Sequence, residues 1–178
     1  MTTYIALLRG INVGGQKKVP MAELRNLLTR AGLKNVATYI QSGNVVFQSS
    51  EENIQKLENE IRSVILKHFG FEVPVLVKTP TDFQNILKNC PFPDEQKVNS
   101  YFVLLFSKPN EGVVKEVKSM SYPNETFVIT DACVYLHCAT GYGKAKLNNN
   151  IIERKLNTTA TARNYKTMAK LLALASGE

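Results

Sequence analysis

Tyr4-Ile5-Ala6-Leu7-Leu8-Arg9-Gly10-Ile11-Asn12-Val13-Gly14-Gly15-Gln16-Lys17-Lys18-Val19-Pro20 places an apolar strand, a glycine-rich basic loop and a helix start in direct succession. Residues 4–9 have the continuous apolar character of a buried strand. Pro20 suits a first helical turn, and Met21, Leu24, Leu27, Leu28 and Ala31 then recur with helical spacing until Gly32 ends the pattern. Residues 36–41 and 45–48 read as strands around the turn Ser42-Gly43-Asn44. A second amphipathic helix over 51–68 buries Ile54, Leu57, Ile61, Ile65 and Phe69, and residues 73–78 form a fourth strand.

The order βαββαβ within the first 79 residues predicts an α+β, ferredoxin-like sandwich with two helices on one face of an antiparallel sheet. A right-handed crossover through the first helix makes the first two strands run in the same direction. The loop at 9–18 and the turn at 42–44 therefore emerge at the same end of the sheet and become neighbours. Residues 80–178 read as a second α+β half, beginning near the loop Cys90-Pro91-Phe92-Pro93-Asp94. Its elements are a strand over 100–106, a helix over 111–120, strands over 126–130 and 133–138, and two basic C-terminal helices. This second ferredoxin-like half is expected to be incomplete, with no closing strand of its own and pairing borrowed from the first half.

Hydrophobic content of 44% over 178 residues supports a packed core. No stretch approaches the about 20 apolar residues of a membrane helix, and no basic-then-apolar leader opens the chain, so the expectation is a cytoplasmic protein without a membrane partner. Cys90, Cys133 and Cys138 are too few for a disulfide framework and agree with a reducing compartment. The net charge of +7 is densest over 141–170, where Lys144, Lys146, Arg154, Lys155, Arg163, Lys166 and Lys170 face a single acid, Glu153. Such a patch fits phosphates, nucleic acid or an acidic partner, and equally a solvated helical face.

The opening motif, with Tyr39-Ile40-Gln41-Ser42-Gly43-Asn44-Val45-Val46-Phe47, resembles the bacterial domain-of-unknown-function family 1697. Gly141-Tyr142-Gly143 with Lys146-Leu147 and Glu153-Arg154, then Thr161-Ala162-Arg163-Asn164-Tyr165-Lys166-Thr167, extend the similarity across nearly the whole chain. The resemblance implies ferredoxin-like halves and supplies no catalytic residue.

Four motifs carry candidate chemistry. Arg9, Gly10, Asn12, Gly14, Gly15, Lys17 and Lys18 read as a backbone nest for a phosphate or carboxylate, or as a connection shaped by backbone geometry alone. A P-loop is excluded, because Gln16 displaces the lysine by one position and no Ser or Thr follows to hold magnesium. Ser42 and Asn44 suit a hairpin turn and also complete a polar cluster with Arg9 and Asn12. Thr161 through Asn164 reads as the opening of the last helix, with Arg163 and Asn164 aimed at an anion there. Gly141 through Lys146 is a further glycine and lysine loop before a helix, with Lys146 as its candidate contact.

His68 and His137 have no metal-like or nucleophile-like neighbours in the sequence, and no pair of acids is spaced for acid and base work. Neither a metal nor a cofactor is expected, and the odd spacing of Cys133 and Cys138 puts them on opposite faces of one strand. Two functional readings stand. One is a binding protein for a phosphate-bearing ligand, a small molecule or nucleotide or a nucleic-acid backbone; the other is a small enzyme acting on an anionic metabolite. The third strand, Val45-Val46-Phe47-Gln48, lacks the aromatic run of an RNA-recognition sheet, so contact with a polynucleotide would be chiefly to phosphates.

Overall fold

The computed structural model describes residues 1–178, which divide into two compact units, Met1–Asn85 with Ala169–Glu178, and Ile86–Met168. The sequence places its boundary at residue 80. In the structure Thr79 caps a helix that starts at Pro80, its Oγ1 accepting from the Asp82 N–H at 3.1 Å.

In the first unit the elements are β1 (Thr2–Leu8), α1 (Met21–Arg30), β2 (Lys34–Tyr39), β3 (Asn44–Ser49), α2 (Ile54–Phe69), β4 (Val75–Lys78) and the start of α3 (Pro80–Lys88). The sheet order is β2-β3-β1-β4, antiparallel throughout, with Ile5 opposite Val46 on one side and Lys78 on the other. Period-two alternation puts Tyr4, Ala6 and Leu8 on the face that meets Leu24 and Leu28 of α1 and Leu57, Ile61 and Ile65 of α2. Full burial of a Leu or Ile side chain contributes about 1.5–3 kcal/mol, so these five helix positions hold both helices to the sheet. Asn53 caps α2 by accepting from the Lys56 N–H, and Gly70 ends it in the left-handed conformation.

The second unit carries the end of α3, α4 (Asp94–Lys97), β5 (Tyr101–Leu105), α5 (Glu111–Lys118), β6 (Glu125–Ile129), β7 (Cys133–Cys138), α6 (Asn149–Leu156), β8 (Ala160–Asn164) and the start of α7 (Tyr165–Ala175). Its sheet order is β6-β7-β5-β8, the same permutation as in the first unit. The expected missing strand is therefore present: β8 pairs antiparallel with β5, Arg163 opposite Phe102, and the second βαββαβ is complete. Small residues disguise it. Ala160, Thr161, Ala162 and Arg163 alternate properly, with Ala160 and Ala162 on the face of Val103, Val134, Leu136 and Cys138, yet they lack the bulk that marks a strand in sequence.

The two units repeat the same main-chain closure. In the first, Leu8 N–H donates to Gly43 C=O at 2.8 Å and Arg9 N–H to Pro74 C=O at 3.0 Å; in the second, Leu105 N–H donates to Ala132 C=O and Phe106 N–H to Thr159 C=O, both at 2.9 Å. The connections that follow them differ in size. Residues 9–20 separate β1 from α1, whereas only 106–110 separate β5 from α5.

Arg163 does not open a helix, as the sequence suggests, but lies within β8, 7% exposed. Its Nη1 donates to Thr161 Oγ1 at 2.7 Å and to the Ala162 carbonyl at 2.9 Å, and burial lowers its pKa to about 10, so it remains a cation at neutral pH. Arg163→Ala should lower stability by about 2 kcal/mol in urea unfolding, and Arg163→Met, which keeps the volume, by less than half of that.

Candidate functional site

Within the first unit, the strand directions bring three connections to one rim of the sheet: residues 9–20 after β1, residues 40–43 after β2, and residues 70–74 before β4. The loop and the turn are joined directly by the Asn12 side chain. Its Nδ2 donates to the Gln41 carbonyl at 2.7 Å and to the Val19 carbonyl at 3.0 Å, while its Oδ1 accepts from the Val19 N–H at 2.8 Å. These bonds commit the Asn12 carboxamide to backbone partners on both connections. A left-handed φ of 54° at Asn12 aims the carboxamide this way, a conformation Asn tolerates better than most residues.

Beyond Asn12 the glycines form a small hairpin rather than a cradle. Asn12 N–H donates to the Lys17 carbonyl at 3.1 Å and Gln16 N–H to the Val13 carbonyl at 2.9 Å. Gly14 and Gly15 sit between, with φ of 57° and 73°, the signature of a type I′ turn. Both are exposed, as are Val13, Gln16, Lys17 and Lys18, and nothing lies within 4 Å of the side-chain direction at Gly10, Gly14 or Gly15. Lys17 Nζ donates to the Glu72 carbonyl at 2.8 Å, which moors the hairpin to the third connection. Arg9 lies half-buried at the foot of the loop.

The turn on the other side is more tightly built. Asn44, fully buried, donates from Nδ2 to the Tyr39 carbonyl at 3.0 Å and to Ser42 Oγ at 2.9 Å. Gly43 has φ of 81°, and a Cβ there would stand 2.6 Å from Leu8 Cβ and 3.0 Å from Ile11 Cδ1. Only glycine lets the turn close against β1. A recess of about 250 Å³ on the same unit is lined by Asn59, Arg62, Ser63, Leu66, Glu72 and Val73, so the carbonyl that holds Lys17 belongs to a residue of its wall. Arg62 carries no mark in the sequence. It is one of several polar residues on the outer face of an amphipathic helix.

The remaining sequence candidates lie in the second unit. Asn164 is the helix cap, its Oδ1 accepting from the Thr167 N–H at 2.8 Å. Lys146 is exposed, and its loop is fixed by Glu125, whose carboxylate accepts from the N–H groups of Lys146 at 2.9 Å and Leu147 at 2.8 Å. Cys133 and Cys138 are buried on opposite faces of β7, and burial raises both thiols, Cys138 to about 11, so neither is a thiolate at neutral pH.

The model of the family described as "Protein of unknown function (DUF1697)" matches residues 1–135. The chain belongs to this family. Among solved structures it is similar to the conserved bacterial protein SP0830 from Streptococcus pneumoniae, with 28% sequence identity, 98% of each chain covered and a TM-score of 0.74. None of the curated proteins matches the chain. No helix is long and apolar enough to cross a membrane.

The rim makes two stability predictions. Asn12→Ala should cost about 2–3 kcal/mol through its three side-chain hydrogen bonds, with hydrogen exchange accelerated at residues 10–20 and 40–43 together. Gly43→Ala should cost on the order of 3 kcal/mol or more, since strain and collision add, whereas Gly14→Ala meets open space and should cost about 1 kcal/mol; thermal unfolding of the two variants measures the difference.

Proposed function

We propose that the rim built by residues 9–18 and 40–44 binds a phosphate-bearing ligand, and that the ligand is the backbone of a nucleic acid. One comparison within the molecule carries the reading. The same scaffold is built twice, and it closes over residues 106–110 in one unit but over residues 9–20 in the other. A connection of this length is thus not required to close the scaffold, and beyond the buried Ile11 and Val19 its additional length goes into an exposed hairpin with Lys17 and Lys18 at its returning end. Loops placed on a rigid scaffold are where binding residues concentrate.

Charge supports the same reading. Arg9, Lys17 and Lys18 face one acid, Glu72, among the residues of the three connections, in a protein of net charge +7. Lys17 and Lys18 are exposed on an outward hairpin, which suits an extended polyanion better than an enclosed metabolite. Three free cysteines fit a reducing compartment, and a cytoplasmic location would put the rim where a bacterial cell keeps its nucleic acid. Arg163 and Asn164 are left out of this site, because one is buried in β8 and the other caps α7.

Fluorescence anisotropy with a labelled 20-base-pair DNA duplex tests the proposal. With three phosphate contacts the affinity should fall roughly 40-fold between 50 and 200 mM salt, and Lys17→Ala/Lys18→Ala should lower the logarithmic salt slope by about 2. Affinity that is independent of salt, or unchanged in the double variant, would overturn the proposal.

A further inference from the structure

Two exposed aliphatic side chains stand at the tips of the rim, in a region where the fold gains nothing from them. Val13 opens the hairpin and is 66% exposed, and Ile40 lies in the neighbouring turn and is 50% exposed. The segments that carry them are tied together by the bond between Asn12 and Gln41, each side chain belonging to a residue next to one of its ends. Single exposed apolar residues are ordinary on protein surfaces, but this pair is less so. Ile40 holds a φ of 49°, a left-handed conformation that a β-branched side chain disfavours, without burial to compensate.

Each tip also presents a carboxamide. Gln16 closes the hairpin turn across from Val13, and Gln41 follows Ile40, both exposed. The rim therefore offers two exposed aliphatic points and two exposed amides able to donate and accept, on the hairpin that also carries Lys17 and Lys18 and on the turn joined to it. That combination matches the way proteins enter the minor groove of DNA: apolar wedges part a base step, Asn or Gln reads the groove floor, and basic groups hold the flanking phosphates.

Resting on the nucleic-acid reading above, we infer that the rim docks in the minor groove of duplex DNA, with Val13 and Ile40 as wedges at flexible pyrimidine–purine steps. Amides at the tips argue against an anionic lipid surface, since they would lose their hydrogen bonds on entering acyl chains. Aliphatic rather than aromatic tips argue against single strands, which are held by stacking on rings. Duplex RNA presents a wide, shallow minor groove that is recognised by shape and 2′-hydroxyl contacts, with no narrow floor to part.

The test uses the full chain and a DNA duplex with 2-aminopurine at a central TA step, with anisotropy measured in parallel. Saturating protein should raise the 2-aminopurine fluorescence about twofold as the step unstacks. Val13→Ser/Ile40→Asn should abolish that rise and weaken binding about tenfold, the scale of a strong interface contact, with the salt slope unchanged. Asn is chosen at position 40 because it accepts the left-handed backbone, so the variant should melt no lower than the parent. DNA binding without a fluorescence change would overturn the wedges while leaving the phosphate reading intact; no DNA binding at either salt would overturn both. Binding to phosphatidylglycerol vesicles that the double variant loses, with DNA binding retained, would reassign the tips to a lipid surface and overturn the inference.

Discussion

A connection of residues 9–20 has many more conformations available than one of residues 106–110, and most of that freedom is removed by a single carboxamide. Asn12 binds Val19 on both its N–H and its C=O, pinching the loop at its base, and reaches across to Gln41 in the next connection. The hairpin beyond it is then short enough to be stabilised by two main-chain bonds and a Gly-Gly turn. Lys17 ties the returning strand to Glu72. Three segments distant in sequence become one surface because polar groups in the loop are satisfied by backbone carbonyls of its neighbours.

The balance between conformation and packing is different in the turn at 40–43. There the constraint is steric: Gly43 lies against Leu8 and Ile11, and Asn44 is buried with its amide committed to Tyr39 and Ser42. One wall of the rim is therefore fixed and the other is an outward hairpin held at its base. That contrast suits recognition, since a firm wall sets the geometry while a loop of few contacts adjusts locally.

How much of this was legible follows from which signals are local. β1, the loop and α1 were readable from the change of period at Pro20, and the shared rim followed from crossover handedness alone. β8 was not, because Thr161 followed by small and polar residues is also the pattern of a capped helix start, and pairing with β5 decides between them. The I′ turn had its Gly-Gly marker, but Val13 and Gln16 flank it too briefly for any alternation to appear. Arg163 had no local sign of burial, and its guanidinium is enclosed by an arrangement that only the complete sheet creates. Likewise nothing in the sequence around Ile40 announces its left-handed backbone.

Paired closure bonds at Leu8 and Arg9, and again at Leu105 and Phe106, mean that both units fix the exit of the segment leaving the first strand in the same way, whatever its length. That makes the segment an interchangeable cassette. A foreign loop spliced between Leu105 and Glu111 would inherit the same anchoring, so the second unit is a vacant acceptor for grafted recognition loops. Over generations the same arrangement lets one copy diversify while its twin preserves the framework.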